Sequence, residues 1–346
     1  MFSATILAVA VTLSEFCAPA VTGQVHASTL MPLKAQGDVL VAWFEGPHER
    51  HPRVAIRGAV RRNGRWGAVR TLAKVNPTAP HWNPVLRRAD DGRLDLYFKV
   101  GRNCVDWRTY VTTSRDEGET WSESRELVVG DVGGGRGPVK NKCLRLASGR
   151  WLAPASTEIG VWRAFADISD DDGRTWRASP PFPVPKKGVA KDFGVIQPSF
   201  WEDAAGVHAF LRSNDGWIWR SDSRDGGETW SIVSRTTLEN VNSGLDVVRA
   251  SNGKVYLVRN GRSASNDPKN GWMAAWGTRN HLELCESSDG GATWRTVCTL
   301  AEGPVRQPDG RLTEFSYPAV VEATPGVLAV TFTYNRRAIA YRAVGL

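Results

Sequence analysis

Ser114-Arg-Asp-Glu-Gly-Glu-Thr-Trp121 recurs as Ser169-Asp-Asp-Asp-Gly-Arg-Thr-Trp176, as Ser223-Arg-Asp-Gly-Gly-Glu-Thr-Trp230 and as Ser287-Ser-Asp-Gly-Gly-Ala-Thr-Trp294. All four fit Ser-x-Asp-x-Gly-x-Thr-Trp, and successive Trp residues lie 55, 54 and 64 positions apart. A degenerate copy, Arg61-Arg-Asn-Gly-Arg-Trp66, precedes the first by 55 residues. Five fixed positions matched four times at a near-constant period mark a repeat architecture. The residue types describe a hairpin turn. Asp accepts hydrogen bonds from turn amides, Gly takes the φ > 0 position, and Trp opens the next strand and packs between neighbouring units. Strand-like alternation flanks the copies, as in Leu94-Asp-Leu-Tyr-Phe-Lys-Val100 and Val207-His-Ala-Phe-Leu-Arg212. A unit of about 55 residues with three or four strands is a propeller blade.

Five boxed units leave Glu314–Leu346 and the first 25 residues over, and together these make a sixth blade. An N-terminal strand around Leu13–Cys17 closes it and removes the exposed edges. The expectation is all-β: one six-bladed β-propeller over residues 1–346, with residues 1–20 either a leader or the closing strand. Residues 5–13 are apolar and Ala18-Pro19-Ala20 resembles a cleavage site, but no Lys or Arg precedes the run and Ser14-Glu15-Phe16-Cys17 interrupts it. A leader implies a secreted or periplasmic protein; a first strand leaves the cytoplasm open. No other segment is long and apolar enough to span a membrane.

Composition agrees. Of 346 residues, 41% are hydrophobic and 23% charged, with 15 Trp and 34 Gly but only 3 Met. Those values exclude a disordered tail or a collagen-like rod and favour short strands over long helices. The net charge of +8 invites an anionic partner. The basic residues form no Lys-rich arm and no nucleic-acid motif, so a small acidic ligand is expected and nucleic acid is not. Cys17, Cys104, Cys143, Cys285 and Cys298 have no metal-ligand spacing. Cys285 and Cys298 flank an expected hairpin, where they either pair or remain buried thiols. No metal or other cofactor is required, and a monomer is expected.

A propeller places its functional residues at one mouth of the central channel, so polar clusters early in each blade are the candidates. They are His26-Ala-Ser-Thr29, Glu45 to His51, His81-Trp-Asn-Pro84, Lys140-Asn-Lys142, Ser156-Thr-Glu158, Gln197-Pro-Ser199, Asn240-Val-Asn-Ser-Gly-Leu-Asp246 and Glu314-Phe-Ser-Tyr-Pro318. A polar group inside an apolar strand must be satisfied or used there.

The boxes resemble the Asp-boxes of the sialidase superfamily, and the resemblance spans nearly the whole chain. Asp-boxes are structural turns on the outer rim and also occur in propellers that are not sialidases, so their Asp residues are not site candidates. The chain resembles a divergent, sialidase-like branch that carries the His-Ala-Ser-Thr, Trp-Asn-Pro, Asn-Lys, Asn-Ser-Gly and Glu-Phe-Ser-Tyr-Pro motifs. The resemblance implies that Tyr317 is the nucleophile, a neutral group suited to a sugar whose anomeric carbon carries a carboxylate. Arg212 and Arg279 resemble two of the three arginines that hold that carboxylate. His26, Asn83, Lys140, Lys142, Asn242 and Asp246 complete the expected substrate-binding set.

Three departures stand out. Where the family has an Arg-Ile-Pro motif, this chain has His26-Ala-Ser-Thr. Where the family has a Glu that serves as base to the Tyr, this chain has Gln197, which orients a hydroxyl but cannot take its proton. The first-blade loop holds no Asp to act as general acid; Glu49 is its best carboxylate, with His51 next. The proton of Tyr317 is then expected to leave through Glu314 or His26. These residues favour an exo-acting glycoside hydrolase that releases a terminal acidic sugar, α-linked sialic acid first. The alternatives are a propeller lyase or rhamnosidase beside a uronate, using His26, Lys142 and Tyr317, or a non-catalytic carbohydrate-binding propeller.

Overall fold

The computed structural model describes residues 9–131, 133–261 and 278–346, and among them every regular element is a strand. Five sheets follow one another along the chain. The first blade holds β2 (Gln24–Pro32), β3 (Val39–Gly46), β4 (Ala55–Arg62) and β5 (Arg65–Trp66), with β6 (Arg70–Ala73) also on β4; β1 (Ala10–Phe16) lies elsewhere. The second holds β7 (His81–Arg88), β8 (Leu94–Val100), β9 (Arg108–Ser114) and β10 (Arg125–Glu126). The third holds β11 (Leu144–Arg145), β12 (Trp151–Thr157), β13 (Arg163–Ser169) and β14 (Arg177–Ala178). The fourth holds β15 (Val195–Asp203), β16 (Gly206–Ser213), β17 (Trp217–Ser223) and β18 (Ser234–Glu239). The fifth holds β19 (Asp246–Arg249), β20 (Val255–Arg259), β21 (His281–Ser287) and β22 (Arg295–Glu302).

The last blade is built from both ends of the chain. It contains β23 (Phe315–Thr324), β24 (Val327–Tyr334) and β25 (Ala338–Gly345), and β1 pairs antiparallel with β25 from Ala10↔Gly345 to Phe16↔Ala340. The architecture is therefore a six-bladed β-propeller closed by its N-terminal strand. Residues 5–8 of the apolar run lie outside the described residues. Among the described residues no helix is long and apolar enough to cross a membrane.

Six apolar clusters fill the ring, one in each cleft between neighbouring blades. The repeated turns seal these clefts. In each box the Ser hydroxyl donates to an Asp oxygen, and that Asp also accepts from the Thr amide and hydroxyl; for Asp171 these distances are 2.8, 2.9 and 2.6 Å. The fifth box residue has positive φ, 87° at Gly118, 76° at Gly173, 90° at Gly227 and 85° at Gly291. A Cβ there would meet Leu40, Arg87, Leu152 and Trp201 at 2.7–3.0 Å, each on the preceding blade. Only glycine lets the turn touch its neighbour. The box Trp lies on that same neighbour, with Trp176 edge-on to Tyr97 at 6.3 Å and Trp294 at 5.3 Å from Phe210. All five cysteines are free thiols, so Cys285 and Cys298 do not pair. Leu284, not Cys285, stands opposite Cys298 in the register.

The boxes predict an acid limit to stability. The Thr175 and Ser169 hydrogen bonds hold the Asp171 carboxyl at about 2 against the burial that would raise it, and Asp116 is likewise lowered to about 2 by Thr120 and Ser114. A carboxyl depressed in the folded state stabilises fully above its unfolded value and loses that contribution as pH falls through the folded one. The melting temperature should therefore drop between about pH 4 and pH 2. Asp171→Ala should cost about 1.5–3 kcal/mol at neutral pH, by denaturant titration, and flatten part of that acid slope.

Candidate functional site

One backbone device recurs on four inner strands. The register slips by one residue between His26 and Thr29, Trp82 and Val85, Ile196 and Ser199, and Ser316 and Ala319. The residue at the slip has left-handed backbone in each case: Ala27 (φ 55°), Asn83 (39°), Gln197 (53°) and Tyr317 (52°). In three of the four the next residue is proline. Such bulges kink a strand and re-aim its side chains, and a left-handed non-glycine residue is strained unless its surroundings hold it. Asn83, Gln197 and Tyr317 thereby point into one cavity of about 240 Å³.

The surroundings that hold them come from the third blade. Lys140 Nζ donates to Asn141 Oδ1 (2.8 Å), to the Leu245 carbonyl (3.0 Å) and to the carbonyl of Pro318, next to Tyr317. Asn141 Nδ2 donates to the carbonyls of Gln197 (3.0 Å) and Pro198 (2.9 Å). Burial pushes the Lys140 ammonium down to about 7, while its three acceptors match the three N–H groups of the charged form. Lys142 Nζ lies 2.8 Å from Asp246, whose carboxylate also accepts from Ser199 Oγ (2.7 Å) and the Val320 amide (2.9 Å). Lys140, Lys142 and Asp246 are thus engaged with the protein inside the channel, outside the cavity lining. Asn242 sits beside it, its side chain accepting from Arg212 Nε at 2.6 Å and its carbonyl from Arg279.

The lining divides into a cationic floor and an aromatic wall. On the floor Arg212 NH1 donates to the Tyr317 hydroxyl oxygen at 2.8 Å and to Gln197 Oε1 at 3.2 Å. That second contact fixes the amide, so Gln197 presents its Nε2 to Tyr317 at 3.5 Å. Arg212 is 4% exposed and forms no ion pair among the described residues. Arg279 pairs with Glu314 at 3.1 Å, and Arg336 pairs with Glu314 at 2.8 Å and Glu49 at 2.6 Å. Burial alone would raise the Glu314 carboxyl; Arg336 and Arg279 hold it well below the usual carboxylate range. His26 packs against Tyr317 with ring centres 4.2 Å apart and planes inclined by 49°, and its Nδ1 bonds Thr333 Oγ1 at 2.8 Å. Burial, then the Arg336 charge, keeps its imidazole neutral. Among the described residues neither Glu314 nor His26 hydrogen-bonds the Tyr317 hydroxyl directly, so a proton route from Tyr317 to either would run through a bridging water. Both partners of that hydroxyl, Arg212 and Gln197, are donors.

The wall comes from loops joining the second and third strands of blades: Glu49 and Arg50 from the first, Cys104 and Trp107 from the second, Glu158 and Trp162 from the third, Arg336 from the last. His51 accepts from the Arg53 amide and does not line the cavity. Arg336 and Trp162 escape a reading based on inner strands, and Glu158 ends a polar cluster with no role attached to it. Asn335 and Arg336 both have positive φ in the hairpin that turns Tyr334 back to Ala338. The result is a third guanidinium, reaching the cavity from the blade beside His26. The boxes lie at the other ends of the strands, since each begins at the last residue of a third strand whose first residue pairs toward the mouth.

The sequence matches the BNR repeat-like domain over residues 37–330. Human Sialidase-4 is 30% identical over 191 residues, which is 43% of this chain and 38% of that protein. A protein of unknown function from Dyadobacter fermentans superposes with a TM-score of 0.77 at 15% identity, covering 99% of this chain and all of the other. The intramolecular trans-sialidase of Ruminococcus gnavus, in complex with oseltamivir carboxylate, superposes with a TM-score of 0.70 at 14% identity and 96% of each chain.

Lys142→Met separates structural from ligand-binding roles. It leaves the buried Asp246 charge without its cation, so it should cost about 3–5 kcal/mol in denaturant titration. The fraction that folds should keep wild-type affinity for a cavity ligand, because Lys142 Nζ is directed at Asp246 and the Val247 carbonyl.

Proposed function

Because the chain belongs to the BNR repeat-like family and has a sialidase-like propeller fold, we propose that it is an exo-acting glycoside hydrolase that releases a terminal acidic sugar, with α-linked sialic acid the leading substrate. The observation that carries this reading is Arg212. It is a buried guanidinium without a carboxylate partner among the described residues, and it faces a cavity on whose floor it touches Tyr317. A buried charge calls for a counter-charge. A substrate carboxylate supplies one, in the planar geometry a guanidinium fork accepts. Arg279 and Arg336 extend the cationic floor, and Arg336 supplies the third guanidinium that the His26 motif does not. A cavity of about 240 Å³ suits one sugar residue at a chain end rather than a polymer threaded through.

Tyr317 is the nucleophile in this mechanism. Its neutral phenol approaches an anomeric carbon that already bears a carboxylate without the repulsion a second carboxylate would meet. As negative charge develops on the phenolic oxygen, Arg212 NH1 at 2.8 Å and the Gln197 amide meet it, a preorganised electrostatic role. The departing phenol proton passes to water in the cavity. Elimination beside a uronate is the weaker reading, because Lys142, which would neutralise charge there, is bound to Asp246.

Fluorogenic α-ketosides of acidic sugars test the proposal, with ultraviolet detection of unsaturated products as the sign of a lyase. Wild type should release the free sugar. Tyr317→Phe should lose at least about 10²-fold in kcat. Arg212→Ala should weaken binding of the carboxylate-bearing sugar by about 2–5 kcal/mol. Binding without turnover would make the chain a lectin-like propeller, and full activity in Tyr317→Phe would exclude a tyrosine nucleophile.

A further inference from the structure

Taking the glycosidase reading as its premise, we propose that Glu158, on the loop after β12, is the residue that protonates the oxygen of the departing group. Two carboxylates line the cavity, Glu49 and Glu158. Glu49 is held 2.6 Å from Arg336, and a proton on it would break that contact. Glu158 forms no ion pair among the described residues. The Cys104 thiol lies beside it, and Trp82, Trp107 and Trp162 line the same cavity. Burial raises the Glu158 carboxyl, while the Arg212 charge pulls the other way and Glu49 adds to the rise. A carboxyl that holds its proton more tightly than usual is suited to act as a proton donor.

Position supports the assignment. In a closed ring of six, the third blade stands opposite the last. Glu158 therefore approaches the cavity from the side facing Tyr317, while Glu49 comes from the blade next to Tyr317's own. An acid and a nucleophile that act on one glycosidic bond must flank it. The bond between the anomeric carbon and the bridging oxygen breaks with its electron pair going to that oxygen, which takes the Glu158 proton and leaves as an alcohol. The Tyr317 oxygen bonds to the anomeric carbon, and the phenol proton goes to water. In the second half a water attacks the same carbon and gives a proton to the Glu158 carboxylate. The carbon–phenol bond breaks with its pair returning to Tyr317, which regains a proton from water.

The test compares two glycosides of one acidic sugar, an aryl glycoside whose leaving group needs little protonation and an alkyl glycoside whose leaving group needs it. Glu158→Gln should lower kcat/KM at least about 10²-fold on the alkyl glycoside and less than about 10-fold on the aryl one. It should also remove the alkaline limb of the wild-type pH profile. Glu49→Gln should keep the wild-type ratio between the two substrates. The groups that also face Glu158 are Cys104, Glu49 and Arg212, with Arg50 beyond the thiol. Cys104→Ser must therefore retain the limb. Equal losses on both glycosides, or a limb that survives Glu158→Gln, would overturn the assignment. Should that variant fold poorly, Glu158→Asp, which keeps an acid, must lose less on the alkyl glycoside than Glu158→Ala does. A wild type inactive on both glycosides would instead refute the glycosidase reading itself.

Discussion

The ties that Lys140, Asn141 and Asp246 make across the central channel fix the bulged inner strands on which the cavity depends. Lys140 reaches the fifth and last blades through the Leu245 and Pro318 carbonyls, and Asn141 reaches the fourth through Gln197 and Pro198. Asp246 joins the fourth and last blades through Ser199 and Val320. An ammonium and a carboxylate buried this deeply are costly alone, and they are tolerable because nearly every lone pair and N–H around them is engaged. The consequence is local. Gln197 and Tyr317 are kept in left-handed backbone that neither would adopt unaided, with their polar ends meeting at Arg212.

Charge is distributed unevenly over the cavity. Arg279 and Arg336 share Glu314, and Arg336 also holds Glu49, so these two guanidinium groups are neutralised by the protein. Among the described residues Arg212 is hydrogen-bonded only to neutral partners, Asn242, Gln197 and Tyr317. That asymmetry marks where an incoming anion would settle, against the phenol and beside Trp162, whose ring Arg212 overlies at 5.2 Å.

Sequence and structure agree where periodicity carries the information. The Ser-x-Asp-x-Gly-x-Thr-Trp turns repeat because each must pass the same cleft, and the glycine that touches Leu40 or Leu152 on the neighbouring blade leaves no choice of residue. The inner-strand clusters were legible for a related reason, because polar groups and prolines interrupt apolar strands. Their common bulge was not, since a register slip depends on the facing strand. Lys142 and Asp246 looked like binding groups in the sequence, yet a polar residue turned into the channel and one turned into the cavity read alike. Arg336, Trp162 and Trp107 sit on loops of unrelated length and composition, where no period points to them. Gln197 is the departure whose chemistry the structure clarifies. Arg212 fixes its amide and leaves it a donor to Tyr317.

The most direct measurement is calorimetric binding of a 2,3-unsaturated sialic acid analogue and of its methyl ester to the wild-type protein. The cationic floor around Arg212 predicts that the free carboxylate binds at least about 30-fold more tightly than the ester, with affinity falling as salt rises. Equal affinity for acid and ester, or no binding of either, would contradict a cavity built to receive an acidic sugar.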